Sequence, residues 1–170
     1  PGDYIREIAQ KIVDNNKDLD FNNYDKIFDQ LKKYSLECSM SLIKSDLNKL
    51  GIIHDNFFSE SDIVNRNLVN KAVKKLLQKN YAEEGYLEPP KGEKIKNWKK
   101  TKRLIFKSTI FNDDADRALQ KNDGTWTYFA NDVAYHLDKI DRKFKNLINV
   151  LGADHTGYIK RISAAVLALS

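Results

Sequence analysis

Two short apolar runs constrain this chain more than any other feature. Residues 52–58 (IIHDNFF) and 147–151 (LINVL) are each followed by a polar turn and then by a helical pattern. Strand, turn and helix in that order make the βα unit of a parallel sheet, whose strands lie under helices and read as nearly continuous apolar stretches. Two such strands are too few for a stable sheet. The closing run Ile162, Ala164, Ala165, Val166, Leu167, Ala168 and Leu169 is apolar on nearly every face of a helix. A helix of that kind needs neighbours on all sides. The expectation is an α/β chain with an incomplete parallel sheet, cut from a larger domain.

Helical spacing dominates the first third of the chain. Tyr4, Ile5, Ile8, Ala9, Ile12 and Val13 recur at that spacing, with Asp3 placed to cap the first turn. After a polar break at residues 14–20, a longer pattern runs from Tyr24 to Leu50 and shifts phase near Ser35, so it predicts one kinked helix or two. Gly51 is placed to stop it. Val64 to Leu77 gives the clearest amphipathic helix. From Tyr81 to Trp126 short aromatic and β-branched runs alternate with turn material, which predicts a small antiparallel β insertion. Helix returns at Tyr128–Phe144. The chain thus divides into residues 1–79, helical with the first strand; 80–126, the β insertion; and 127–170, a helix–strand–helix segment.

Charge is local rather than spread. Lys91, Lys94, Lys96, Lys99, Lys100, Lys102, Arg103 and Lys107 face only Glu93 in their stretch, whereas the whole chain carries +5. Without this segment the chain is slightly acidic. The block is either a solvated loop or an attractor of nucleic acid phosphate. Cys38, the single cysteine, excludes a disulfide framework and a thiolate metal site. No stretch approaches the roughly 20 apolar residues of a membrane span, and the first residues are not those of a signal peptide. The cytoplasm is the expected compartment.

Four constellations could carry chemistry. Glu60, after Ser59, follows an expected parallel strand, where ligands of open α/β sheets bind; a helix cap with a dipole-stabilising acid is the alternative. Tyr128, Asp132, Tyr135, His136 and Lys139 share one helical face, which suits a guanidinium or ammonium ligand, or else reflects a simple Asp132–His136 pair. Gly152-Ala153-Asp154-His155 follows the second apolar run, so Gly152 and Asp154 could border a ligand and His155 could offer a neutral ring. Asp113, Asp114 and Asp116 either gather a cation or form an acidic turn balanced by Arg117; the calcium-loop pattern is absent. No phosphate-cradling glycine loop, zinc spacing or nucleophile elbow occurs.

These pieces stand in a familiar order. The runs G-D-Y-I (Gly2–Ile5), D-N-F-F-S-E (Asp55–Glu60), S-T-x-F-x-D-D-x-D-R (Ser108–Arg117), D-G-T-x-T-Y-F (Asp123–Phe129), D-V-A-Y-H (Asp132–His136) and L-G-A-D-H-x-G-Y-I-K-R (Leu151–Arg161) resemble arginyl-tRNA synthetase of the bacterial kind. Asn112 stands where that family usually has glycine, and residues 85–100 resemble an insertion found in part of it. The resemblance implies an internal piece of a class I, Rossmann-type catalytic domain joining L-arginine to tRNA(Arg) through an arginyl-adenylate. It implies that Glu60, Tyr128, Asp132 and His155 contact arginine and that Gly152 and Asp154 lie by the nucleotide, with no catalytic residue and no metal ligand of its own. ATP, with Mg2+, is the implied co-substrate. The H-I-G-H-type and K-M-S-K-type motifs that stabilise its phosphates are absent from these residues, so the chain alone is expected to be inactive and to hold no cofactor tightly; the oligomeric state is left open, with a monomer favoured. The competing reading is a stand-alone basic RNA-binding module without catalysis.

Overall fold

The computed structural model describes residues 2–87 and 101–170. The chain forms two compact units, Pro1–Phe57 and Phe58–Ser170.

The first unit holds two helices, α1 (Asp3–Asn15) and α2 (Tyr24–Lys49), which pack through Ile12 and Ile27. Gly2, with extended backbone, is the residue that caps α1, so Asp3 serves as the acid of the first turn rather than as the cap. The phase shift near Ser35 breaks nothing, because α2 runs through it as one helix of 26 residues. Its end is a Schellman motif. Gly51 takes φ of 73°, its N–H donates to Asn48 O at 2.9 Å, and the Ile52 N–H donates to Leu47 O at 2.9 Å.

In the second unit, α3 (Glu60–Asn65) begins at Ser59, whose Oγ accepts from Ser61 N at 3.3 Å. Asn67, in the left-handed region, turns the chain into α4 (Leu68–Gln78), and α4 buries Leu68, Val69, Ala72, Val73 and Leu76 along one face. Strands β1 (Ala82–Gly85), β2 (Arg103–Phe106) and β3 (Arg117–Ala118) form an antiparallel sheet in that order, pairing Ala82 with Phe106 and Ile105 with Ala118. The antiparallel sheet expected within residues 80–126 is therefore present. It shares one core with α4, α5 (Tyr128–Asp141) and α6 (Ile159–Leu169), since Phe106 and Leu119 are buried against Leu76, Val133, Leu137 and Leu169. Within α6, Leu167 and Ile159 stay exposed. The lysines at 91–100 and the turn at Pro89-Pro90 fall outside the described residues.

The two expected parallel strands are corrected. Residues 52–58 and 147–151 carry no strand pairing, and among the described residues the three-stranded antiparallel sheet is the only sheet. A parallel, Rossmann-type sheet is not seen. An apolar run becomes a strand only where a neighbouring strand takes its N–H and C=O groups, and none lies beside these two. Their side chains show it: Ile148 is 88% and Val150 94% exposed. No helix among the described residues is long and apolar enough to cross a membrane.

Candidate functional site

Helix α5 is amphipathic in a particular way. Phe129, Ala130, Val133, Ala134 and Leu137 recur at helical spacing and sink into the core. Thr127 starts the helix by accepting from Ala130 N at 3.2 Å, which fixes the phase of everything after it. The opposite phase carries Asn131, Asp132 and Tyr135 toward α3. Phe58, Glu60 and Ile63 complete a groove of about 270 Å³ with them.

The walls of this groove are braced. Phe58 stacks on Tyr135 with centroids 4.7 Å apart, and the Arg66 guanidinium lies 5.8 Å from the Phe58 ring. Arg66 reaches α5 by donating to Oδ1 of the buried Asp138 at 2.7 Å; Arg142 meets the other oxygen at 3.2 Å. Lys139 lies 4.4 Å from the Tyr135 centroid and donates to Asn149 at 2.9 Å. Burial and the neighbouring Arg142 charge hold the Lys139 ammonium below its ordinary pKa, against the pull of Asp132.

Two of the expected site residues meet here. Glu60 is the first residue of α3, and its Oε1 accepts from Asn131 Nδ2 at 3.0 Å. Asp132 accepts at Oδ2 from the Tyr158 hydroxyl. Neither carboxylate is in an ion pair among the described residues, and each has only one oxygen engaged. The alternative reading of this face, a side-chain pair of Asp132 with His136, does not form. The buried His136 instead donates from Nδ1 to the Asp132 backbone oxygen at 2.8 Å, and burial depresses its pKa.

The other expected residues lie apart from the groove. Tyr128, at the start of α5, is 79% exposed with the Lys121 ammonium 5.9 Å from its ring. Gly152 and His155 line a second hollow of about 360 Å³ with Asn149, Leu151, Thr156 and Ile162. A Cβ on Gly152 would meet Asp154 Oδ1 at 2.5 Å, so this glycine leaves room for the Asp154 side chain. His155 and Asp154, both exposed, approach to 3.6 Å. They belong to a 3-10 turn (Ala153–Tyr158) rather than to the start of α6. The link between the two places is Tyr158, whose ring centroid is 6.4 Å from that of His155.

Sequence reasoning passed over Asn131 and Tyr158, although Tyr158 sits inside the Leu151–Arg161 run and Asn131 directly precedes D-V-A-Y-H. A polar residue flanking a carboxylate and a tyrosine after glycine carry no signal until the fold brings them to a carboxylate. The acidic turn resolves toward the structural alternative. Asp113 accepts from Arg117 Nε and Nη2 at 2.7 and 2.6 Å, Asp114 from Lys160 at 2.6 Å, and Asp116 from Thr109 Oγ1 at 2.8 Å. Asn112 holds φ of 66°, the left-handed conformation that glycine adopts most easily and asparagine tolerates.

No protein-family model matches the chain. Over its whole length it is 52% identical to the arginine–tRNA ligase of Pelagibacter ubique (strain HTCC1062) and 50% identical to that of Ehrlichia chaffeensis, covering 30% of each. It also superposes, with a TM-score of 0.75 and 27% identity, on a crystal structure from Campylobacter jejuni described as an arginyl-tRNA synthetase; 99% of this chain and 33% of that one are covered. From end to end, then, the chain is homologous to arginyl-tRNA synthetases and spans about 30% of the length of the relatives it matches.

Proposed function

We propose that the groove between α3 and α5 recognises arginine, within an aminoacyl-tRNA synthetase that joins L-arginine to tRNA(Arg) through an arginyl-adenylate made from ATP in the cytoplasm. One observation carries the reading. Glu60 and Asp132 share a small groove, each with one oxygen anchored by a neutral donor and neither in an ion pair among the described residues. Two carboxylates on one groove, Asp132 half-buried and Glu60 exposed at its rim, offer their unengaged oxygens to a ligand that brings cations. Arginine brings a guanidinium and an α-ammonium. The planar guanidinium takes paired hydrogen bonds that a lysine ammonium cannot match, which supplies selectivity. Tyr128 and His155, which lie apart from the groove in this chain, add a ring face and a polar ring in this reading.

In the same reading Gly152 and Asp154 border the nucleotide. A carboxylate there suits ribose hydroxyls and repels phosphate, so ATP phosphates rely on other donors. In this reading Mg2+ arrives with the ATP. Residues 52–58 and 147–151 become strands where neighbouring strands complete a Rossmann-type sheet.

The test is arginine-dependent ATP–pyrophosphate exchange by the full-length gene product. Glu60→Gln and Asp132→Asn are each expected to lower kcat/KM for arginine by about tenfold or more, since losing one partner of a charge pair that bound substrate shields from water costs roughly 2–5 kcal/mol. Tyr128→Phe should do less, and the KM for ATP should hold in all three. Wild-type arginine kinetics in both carboxylate variants would refute the assignment.

A further inference from the structure

The residue that connects the two places named above is one that neither the sequence reading nor the relatives' names assign. Tyr158 closes the 3-10 turn and leads into α6. Its ring is half-buried and fixed on several sides. Phe129, which belongs to the core face of α5, meets it edge-on at 6.3 Å, and the Arg161 guanidinium lies 5.6 Å from its centroid. Phe129 and Asp132 are three residues apart on α5, so a ring seated against Phe129 delivers its hydroxyl to the carboxylate one turn on. An ionised carboxylate has no proton to give, so Tyr158 is the donor. Burial and the Asp132 charge both raise the pKa of the phenol, which keeps that proton in place.

We propose that Tyr158 is the positioning residue of the arginine site: its hydroxyl engages Asp132 Oδ2, sets the carboxylate's rotation, and leaves Oδ1 as the oxygen offered to the substrate cation. This rests on the reading of the groove given above. A free aspartate side chain populates several rotamers and can turn either oxygen outward. Binding a cation then requires ordering it first, at a cost in affinity. With Tyr158 in place the ordering is done during folding. Its partner in this task is Asn131, which engages one oxygen of Glu60, so the two carboxylates present one unengaged oxygen each. Tyr158 also lies three residues after His155, so the turn carrying Gly152, Asp154 and His155 is tied to α5 through the same hydroxyl.

A double-mutant cycle in the full-length gene product tests this, with Tyr158→Phe, Asp132→Ala and both together, read by arginine and ATP titrations in pyrophosphate exchange. Tyr158→Phe removes one oxygen atom and keeps the ring against Phe129, and a thermal melt verifies that the fold survives. The expected result is an arginine KM raised about three- to tenfold, with kcat and the KM for ATP within twofold. In the Asp132→Ala background the same change should add nothing, because the hydroxyl acts only through the carboxylate. The proposal is overturned if Tyr158→Phe leaves arginine KM unchanged, or if its effect multiplies in full with that of Asp132→Ala. If Asp132→Ala itself leaves arginine KM unchanged, the arginine reading has failed and Tyr158 falls with it, a pattern distinct from a damaging Asp132→Ala beside a silent Tyr158→Phe. Should Tyr158→Phe melt early, Tyr158→Trp, which keeps an aromatic body without a hydroxyl at that reach, must raise arginine KM selectively, and a proportional loss in both substrates would count against the proposal.

Discussion

Asn131 and Glu60, 71 positions apart in sequence, are joined by a 3.0 Å hydrogen bond from the amide nitrogen of one to Oε1 of the other. The bond ties α5 to the first turn of α3 and decides which carboxylate oxygen faces the groove. Asn131→Ala should therefore raise the arginine KM of the full-length gene product severalfold while leaving ATP untouched. Asn131→Asp should do more, because it sets a third carboxylate against Glu60 and Asp132. Arginine titrations of both variants decide it. A neutral Asn131→Ala beside a damaging Glu60→Gln would show that Glu60 orients without help.

Stability should depend on pH through Asp113. Burial alone would raise its pKa. The hydrogen bonds from Arg117, Ser108 and the Asp114 N–H outweigh that and hold it below the ordinary value of 3.8. A carboxyl depressed in the folded state stabilises fully above its unfolded pKa and loses that contribution as pH falls through the folded pKa. Asp113→Asn is thus expected to cost about 1–3 kcal/mol at neutral pH. The gap between wild type and variant should narrow below about pH 3.8. Denaturant titrations at several pH values measure it, and a constant gap down to pH 2 would contradict the assignment.

The bracing of the groove makes a second stability prediction. Asp138 is buried and receives Arg66 at 2.7 Å and Arg142 at 3.2 Å. Both guanidinium groups are partly exposed, so water takes over some of their bonding when the carboxylate is lost. Asp138→Ala should cost about 2–3 kcal/mol, and Arg66→Ala about 1 kcal/mol. Melting temperatures should order in that sense, at roughly 2–4 °C per kcal/mol for a chain of this size. The reverse order would mean that packing of Arg66 over Phe58 matters more than the ion pair.

The basic block between Lys91 and Lys107 offers a test independent of the groove. In the full-length gene product, neutralising Lys96, Lys99 and Lys100 should leave arginine KM unchanged. If the block meets tRNA phosphate, tRNA binding weakens and its salt dependence becomes shallower, since fewer counterions are released. Loss of arginine binding with tRNA binding preserved would place these charges at the amino-acid site instead.

The helices were legible because amphipathic spacing and stop signals are local properties. Val69, Ala72, Val73 and Leu76 face the core as their spacing predicts, and Gly51 ends α2 as its conformational freedom allows. Residues 147–151 misled for the complementary reason. Val150 and Ile148 have the composition of a buried strand, but strand pairing is a property of two segments and this one has no partner beside it. The candidate carboxylates were visible through motif and helical phase. Their orientation was not, because it depends on Asn131 and Tyr158, donors that only the fold brings to them.

One helix carries both the core and the groove, and the two are locked in phase. Phe129 and Val133 point inward while Asn131 and Asp132 point toward α3, each step along α5 turning the side chain by about 100°. Inserting one residue between Tyr128 and Asp132 would swing the carboxylate off the groove and, in the same stroke, drive it into the position of Val133; deleting one would swing it the other way and leave the smaller Ala134 in that core position. Neither fault could be repaired by a single compensating substitution. Change in this stretch is therefore open to exchange of residues and closed to change of length, whatever happens to the loops on either side.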